Sequence, residues 1–230
     1  MLLGKVSAIF AGKVENLTRP DGAPFPSAIR KRQISACKVG FDGLERDESS
    51  EDVHHTPDKE VHLFSFEHYE PISERLGIPL ERPTFGENLS TLGINESNIF
   101  VGDRLEIGNV HLEITQPTER CKTIGNSLGE PRILKVLHQL EVCGFYAKVL
   151  KPGVISNSDP ISLIERQQEE WSILRLHQFM FKKLTDDALL EEVLAIPQLS
   201  DEWKNRFPKM RERAARGEAL SSSLAAIENL

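Results

Sequence analysis

The chain has 230 residues, of which 39% are apolar and 27% charged, and a formal net charge of −7. That length suits one large domain or one medium domain with a small appendage, and the apolar fraction is sufficient for a packed core. An acidic chain whose densest basic run is Arg30-Lys31-Arg32 is not built for a broad nucleic-acid footprint, although so short a run can hold a phosphate group.

No apolar stretch approaches the length of a membrane span, and residues 1–6 lack a signal peptide's long apolar region, so a cytoplasmic protein is expected. Cys37, Cys121 and Cys143 show no CxxC spacing. That pattern predicts free thiols rather than a disulfide framework or a zinc site, and any one of them can be simply a small buried hydrophobe.

Residues 3–10 read as a strand, and residues 18–26, with three prolines and a glycine, as a loop. A short strand follows at 34–39, then an acidic, Ser- and His-containing loop over 40–59. Residues 61–66 predict a strand or a helix start, and 67–76 a helix with Pro71 in its first turn and Gly77 at its end. Residues 101–107 and 110–115 form a hairpin pattern across Gly108-Asn109, and 145–150 read as the last strand. Turn signals at this density suggest a β-barrel or sandwich. The composition then changes. Residues 164–183 look helical. Thr185-Asp186-Asp187 caps a second helix ending before Pro197, and Ser200-Asp201-Glu202 caps a third that Pro208 is expected to kink or interrupt. The organisation predicted is mainly β, a body over 1–165 with a small three-helix domain over 166–230.

Three clusters carry candidate chemistry. In Thr115-Gln116-Pro117-Thr118-Glu119-Arg120-Cys121 a strand runs into a proline turn, and an arginine precedes a cysteine. A neighbouring guanidinium favours thiolate, the soft ligand that a thiophilic metal requires. Glu119 adds a negative charge to the same segment. In Phe85-Gly86-Glu87-Asn88-Leu89 a glycine permits close backbone approach, while Glu and Asn offer groups able to read a heterocycle. The adjacent His54 and His55 point apart and have no further ligands at zinc spacing, so an anion or backbone contact suits them better. Each cluster taken alone also reads as an ordinary turn or solvated loop.

Their order resembles the MOSC domain, named for the C-terminal domain of molybdenum cofactor sulfurases. Gly43-Leu44, Asp47 and Asp52-Val53-His54 come first. Glu67-His68-Tyr69, Phe85-Gly86-Glu87-Asn88-Leu89, Ile94-Asn95-Glu96 and Val101-Gly102-Asp103 follow, and Gln116-Pro117 with Cys121 comes last. Ala188-Leu189-Leu190 through Ser200-Asp201-Glu202-Trp203 is similar to the three-helix domain of the 6-N-hydroxylaminopurine resistance subgroup. That subgroup usually carries Gly-Asp where this chain has Arg46-Asp47. The resemblance implies a MOSC-type β-barrel and a molybdenum cofactor of the molybdopterin type, with Cys121 as the metal ligand. Cofactor contacts would come from Ser27, Arg30, Lys31, Phe85, Gly86, Glu87, Asn88, Gln116 and Arg120, with His54 and Glu87 as proton carriers. It implies reduction of N-hydroxylated compounds such as purine bases. A separate flavin or iron–sulfur reductase would supply the electrons, since the chain shows no flavin, haem or iron–sulfur motif of its own. Two other readings stay open: a non-catalytic carrier of cofactor or sulfur through Cys121, and a binding module without cofactor.

Overall fold

β1 (Leu2–Ala11) opens the chain and is fully buried over its last four residues. The computed structural model describes residues 1–49, 57–183 and 186–217. The segment expected to be a proline loop is instead half of a hairpin, β2 (Glu15–Thr18) against β3 (Pro24–Ser27). Pro24 and Pro26 are tolerated because the pair is an isolated two-stranded ribbon, and Asp21-Gly22, with Gly22 at φ 87°, turns the chain. The strand expected over 34–39 is split in two. β4 (Arg32–Ile34) pairs with β1, whereas β5 (Ala36–Gly40) leaves to pair with β6 (Gly43–Leu44) in a separate small sheet.

β7 (Val61–Ser65) is buried at every position. A short turn of 3-10 helix leads into α1 (Tyr69–Leu76), with Pro71 in its first turn and Gly77 closing it in the left-handed region at φ 72°. β8 (Leu89–Leu92) follows. β9 (Arg104–Ile107) and β10 (Val110–Pro117) form the expected hairpin. Between β10 and β11 (Phe145–Lys151) lie α2 (Lys122–Leu128) and α3 (Ile133–Gln139), which the strand-and-turn reading did not anticipate. They are short, so their periodicity is weak, and they are held by burial of Ile124, Ile133, Leu134 and Leu137.

β11 is not the last strand. β12 (Gly153–Ser156) joins β5, and β13 (Pro160–Glu165) returns to the barrel. The helix expected from residue 164 therefore begins only at α4 (Ile173–Gln178), after Ser172 caps it through Arg175 N–H. Ile164 and Glu165, expected to open that helix, end β13 instead, where Glu165 pairs with Arg104 of β9. α5 (Asp187–Leu194) is capped by Asp186 and α6 (Asp201–Ala215) by Ser200. α6 runs through Pro208 without interruption, with Phe207 and Met210 on either side of it buried in the core.

Seven strands close the barrel in the order β1-β8-β7-β11-β10-β9-β13 and back to β1. All neighbours are antiparallel except β7 and β8. Closure leaves no free edge in the ring. Its interior is continuous with the apolar faces of α4, α5 and α6 through Trp171, Phe179, Trp203 and Phe207. A second core, on the side of the barrel that carries the β10–α2 turn, joins α1, α2 and α3 around Phe64, Tyr69 and Phe85. Among the described residues no helix is long and apolar enough to cross a membrane.

Candidate functional site

Strand register gathers the polar groups. Gln116 on β10 lies opposite Tyr146 on β11, and Tyr146 lies opposite His62 on β7. The parallel pairing of Leu63 with Leu89 sets Glu87 and Asn88 beside the start of β7, where Asn88 Oδ1 accepts from His62 N–H at 3.0 Å. β10 then runs into Cys121, the residue preceding α2, whose thiol is exposed, whereas Cys37 and Cys143 are buried.

Asp47 is the anchor on one side. Its carboxylate accepts from Gly12 N–H at 2.9 Å, Lys31 Nζ at 2.7 Å and Asn88 Nδ2 at 2.8 Å. Burial pushes the Lys31 ammonium down, while the charge and hydrogen bond of Asp47 oppose that shift. Arg46, just before it, holds φ 70°, a left-handed backbone that costs a side-chain-bearing residue about 1–2 kcal/mol. Arg46→Gly is therefore expected to stabilise the chain by about 1 kcal/mol, after the glycine's larger unfolded-state entropy is subtracted. A higher urea midpoint at unchanged slope checks this, and a lower one rejects it.

Glu87 is fully buried, and its Oε1 accepts from Tyr69 Oη at 2.5 Å and Ser90 Oγ at 2.9 Å. Burial raises its carboxyl, against the pull of those bonds and of Arg120. The Arg120 guanidinium turns inward. It sits over the rings of Phe64 and Phe85, donates to Phe85 O at 3.4 Å and reaches His62 Nε2 at 3.3 Å. These contacts lie with His62 and the rings of the second core rather than with the thiol that sequence adjacency paired it with. Tyr146 stacks obliquely on His62 and carries Lys59 Nζ above its ring at 5.9 Å. Burial pushes its hydroxyl up to about 12, with Arg120 opposing and the charges of Cys121 and Glu202 reinforcing the rise.

The residues singled out from the sequence fall into four groups. Lys31, Phe85, Glu87, Asn88, Gln116 and Arg120 are brought together. Gly86 packs on Ile29, and Ser27 Oγ accepts from Ile29 N–H, which places the 27–31 segment against the 85–88 turn. Arg30 is exposed and donates at 3.4 Å to Ser127 O at the end of α2. His54 lies outside the described residues. Asp47, His62, Tyr69, Thr118 and Tyr146 belong to the cluster but were not chosen as site residues. His62, a polar residue inside the apolar run Val61-His62-Leu63-Phe64, was the signal available for one of them.

Among the described residues, four buried polar atoms in this cluster have no hydrogen-bond partner: Glu87 Oε2, Gln116 Oε1, Thr118 Oγ1 and Arg120 Nε. Orphans of this kind are costly unless something else meets them. An open thiol, nearby cations and unmatched donors and acceptors form a donor set that fits a sulfur-bound metal carried on an anionic heterocycle. Among the described residues no three His, Cys, Asp or Glu side chains converge on one point.

The C-terminal helices reach the same place. Arg206 of α6 pairs with Glu119, and Glu202 pairs with Lys59. The negative charge that the sequence set beside Cys121 is thus matched by a cation from the far end of the chain.

Residues 50–162 match the model of the MOSC domain, and residues 171–214 match that of the YiiM-like, 3-alpha helix domain. Protein YiiM of Escherichia coli is 28% identical over 208 residues, covering 88% of this chain and 91% of that one. A crystal structure of YiiM from Geobacillus stearothermophilus aligns with a TM-score of 0.76 at 26% identity, over 90% of this chain and 98% of that one. A protein of Gibberella moniliformis named a reductase is 29% identical over 189 residues, 76% of this chain but 32% of that longer protein.

Proposed function

We infer, for a chain that belongs to the MOSC-domain proteins and carries a YiiM-like three-helix unit, that it is a molybdenum-cofactor oxidoreductase reducing N-hydroxylated compounds, purine bases among them, to amines. The observation that carries this reading is the exposed Cys121 thiol near buried polar groups that lack partners among the described residues. The name of the Gibberella relative supports the reaction class.

The cofactor, when bound, would supply two-electron chemistry: an N–OH group takes up two electrons and two protons and leaves as the amine plus water. The electrons come from a separate flavin or iron–sulfur protein. The chain's own residues bind and orient. Cys121 offers a thiol ligand, Lys31 and Arg30 a cationic edge suited to a phosphate, and Gln116 an amide that can meet a heterocycle, while Asn88 is held by His62 and Asp47 and braces the turn. Glu87, whose carboxyl is raised by burial and whose Oε2 has no partner among the described residues, can hold a proton at that oxygen. Barrel strands on one side and α1 to α3 on the other keep this polar cluster away from bulk water.

Metal and pterin analysis of protein made in a cofactor-competent host tests the reading. The wild type is expected to contain both, and Cys121→Ser to lose most of the molybdenum and the reduction of an N-hydroxylated purine. Full metal and activity in Cys121→Ser would defeat the ligand assignment. A protein without metal or pterin whose Cys121 forms a persulfide would favour a sulfur carrier instead.

A further inference from the structure

We infer that the three-helix unit is part of the site, and that Arg206 is a positioning residue which neutralises Glu119 and so keeps the surface around the exposed Cys121 thiol acceptable to an anionic ligand. The inference rests on the proposed reading in one respect, that the group meeting Cys121 is anionic.

Glu119 stands two residues before Cys121 on the turn that leaves β10, and its recorded ion-pair partner is Arg206. Both side chains are partly buried. The guanidinium is not free to wander. It lies 5.8 Å from the ring of Trp203, which is 1% exposed, and 3.9 Å from Glu202. Glu202 in turn pairs with Lys59, which lies over Tyr146, and Tyr146 is within electrostatic reach of Cys121. The first two turns of α6 therefore meet Glu119 through Arg206, and Lys59 through Glu202. Half-exposed ion pairs contribute little to folding stability. Their effect on the local field is larger, because an unpaired carboxylate at a mouth repels an approaching anion. Buried apolar contacts through Trp203 and Phe207 also dock the helix.

The test uses the full chain without metal and needs no catalysis. Cys121 is the exposed thiol, with Cys37 and Cys143 buried, so its modification can be followed in the folded protein, with Cys121→Ser as background. Rates are measured with an anionic reagent, 5,5′-dithiobis(2-nitrobenzoate), and a neutral one, N-ethylmaleimide. Any change in the thiol itself acts on both reagents and cancels in their ratio. Arg206→Ala is expected to lower the anionic-to-neutral ratio about threefold at low salt, an effect that molar salt erases. Arg206→Lys should keep the wild-type ratio, and Glu119→Gln added to Arg206→Ala should restore it. A ratio unchanged in Arg206→Ala, whatever happens to the individual rates, overturns the inference. Because this readout is taken without metal, retention of molybdenum by Cys121→Ser would sink the ligand assignment and leave the Arg206 result standing.

Discussion

Gly144→Ala is expected to destabilise the protein by about 3–4 kcal/mol and to dislodge the Cys121 turn with it. Gly144 holds φ 70°, and a Cβ there would meet Arg120 Nη2 at 2.7 Å, Leu63 O at 2.8 Å and Phe64 Cδ2 at 2.9 Å. Two of those neighbours are a strand carbonyl and a stacked ring, which cannot give way cheaply. The same residue donates to Glu96 Oε1 at 2.6 Å and accepts from Thr118 N–H at 3.0 Å, so any backbone shift reaches both the buried carboxylate and the segment leading to Cys121. Gly129→Ala is the control. Its φ is 72°, but an added Cβ would meet nothing within 4 Å, so only the backbone term of about 1 kcal/mol should appear. Urea unfolding of both variants separates the two contributions. Equal losses would mean that the crowding at Gly144 relaxes freely, and the account of that position fails.

The barrel was legible in outline because its strongest signals are local. Gly108-Asn109 announces the β9–β10 hairpin, and Gly77 ends α1 where the sequence places it. Errors arose where tertiary pairing overrode local preference. Residues 164 and 165 resemble the start of a helix until the β9 ladder claims their strand, and Pro24 and Pro26 resemble a loop until the β2 partner is seen. The helices α2 and α3 are too short to announce themselves and exist through the second core. For the candidate site, chain order marked Cys121, Glu87, Asn88 and Gln116, but side-chain direction is not a one-dimensional property. Sequence adjacency put the Arg120 guanidinium with the thiol, whereas its contacts are His62, Phe64 and Phe85. Arg206 lies far along the chain from Glu119, and no local rule connects them.

The second large effect concerns acid. His177 is buried, both its ring nitrogens lack hydrogen-bond partners among the described residues, and its ring packs against Phe181 at 4.6 Å. Burial pushes it down to about 4; Glu96 and Glu141 pull upward while His138 and Arg120 push further down. The sign follows from comparing the two states. Below about 6.5 the unfolded chain binds a proton at this histidine while the native state refuses one until about 4. Stability is therefore intact above 6.5 and falls by about 3 kcal/mol as the pH drops from 6.5 to 4. Glu60 opposes this loss, since burial raises its carboxyl to about 7 and the native state then takes up a proton earlier than the unfolded one. Glu87 acts in the same direction as Glu60. The His177 contribution is thus best read as a difference. Wild type is expected to lose about 3 kcal/mol relative to His177→Leu between pH 6.5 and 4, because the carboxylate contributions cancel between the two proteins. Parallel stability curves would show that the histidine does not carry the effect. Glu96 dominates at lower pH. Burial alone would raise its carboxyl, but His68 at 2.6 Å and the N–H groups of Cys143 at 3.0 Å and Gly144 at 2.6 Å outweigh that and hold it at about 2. Its contribution is complete above pH 4.5 and is lost, by about 3 kcal/mol, as the pH falls from 4.5 to 2. Glu96→Gln should lose a comparable amount at neutral pH and show a flatter curve below 4.5. Such a variant would tie acid unfolding to the carboxylate that braces Gly144, and through it the turn on which Cys121 stands.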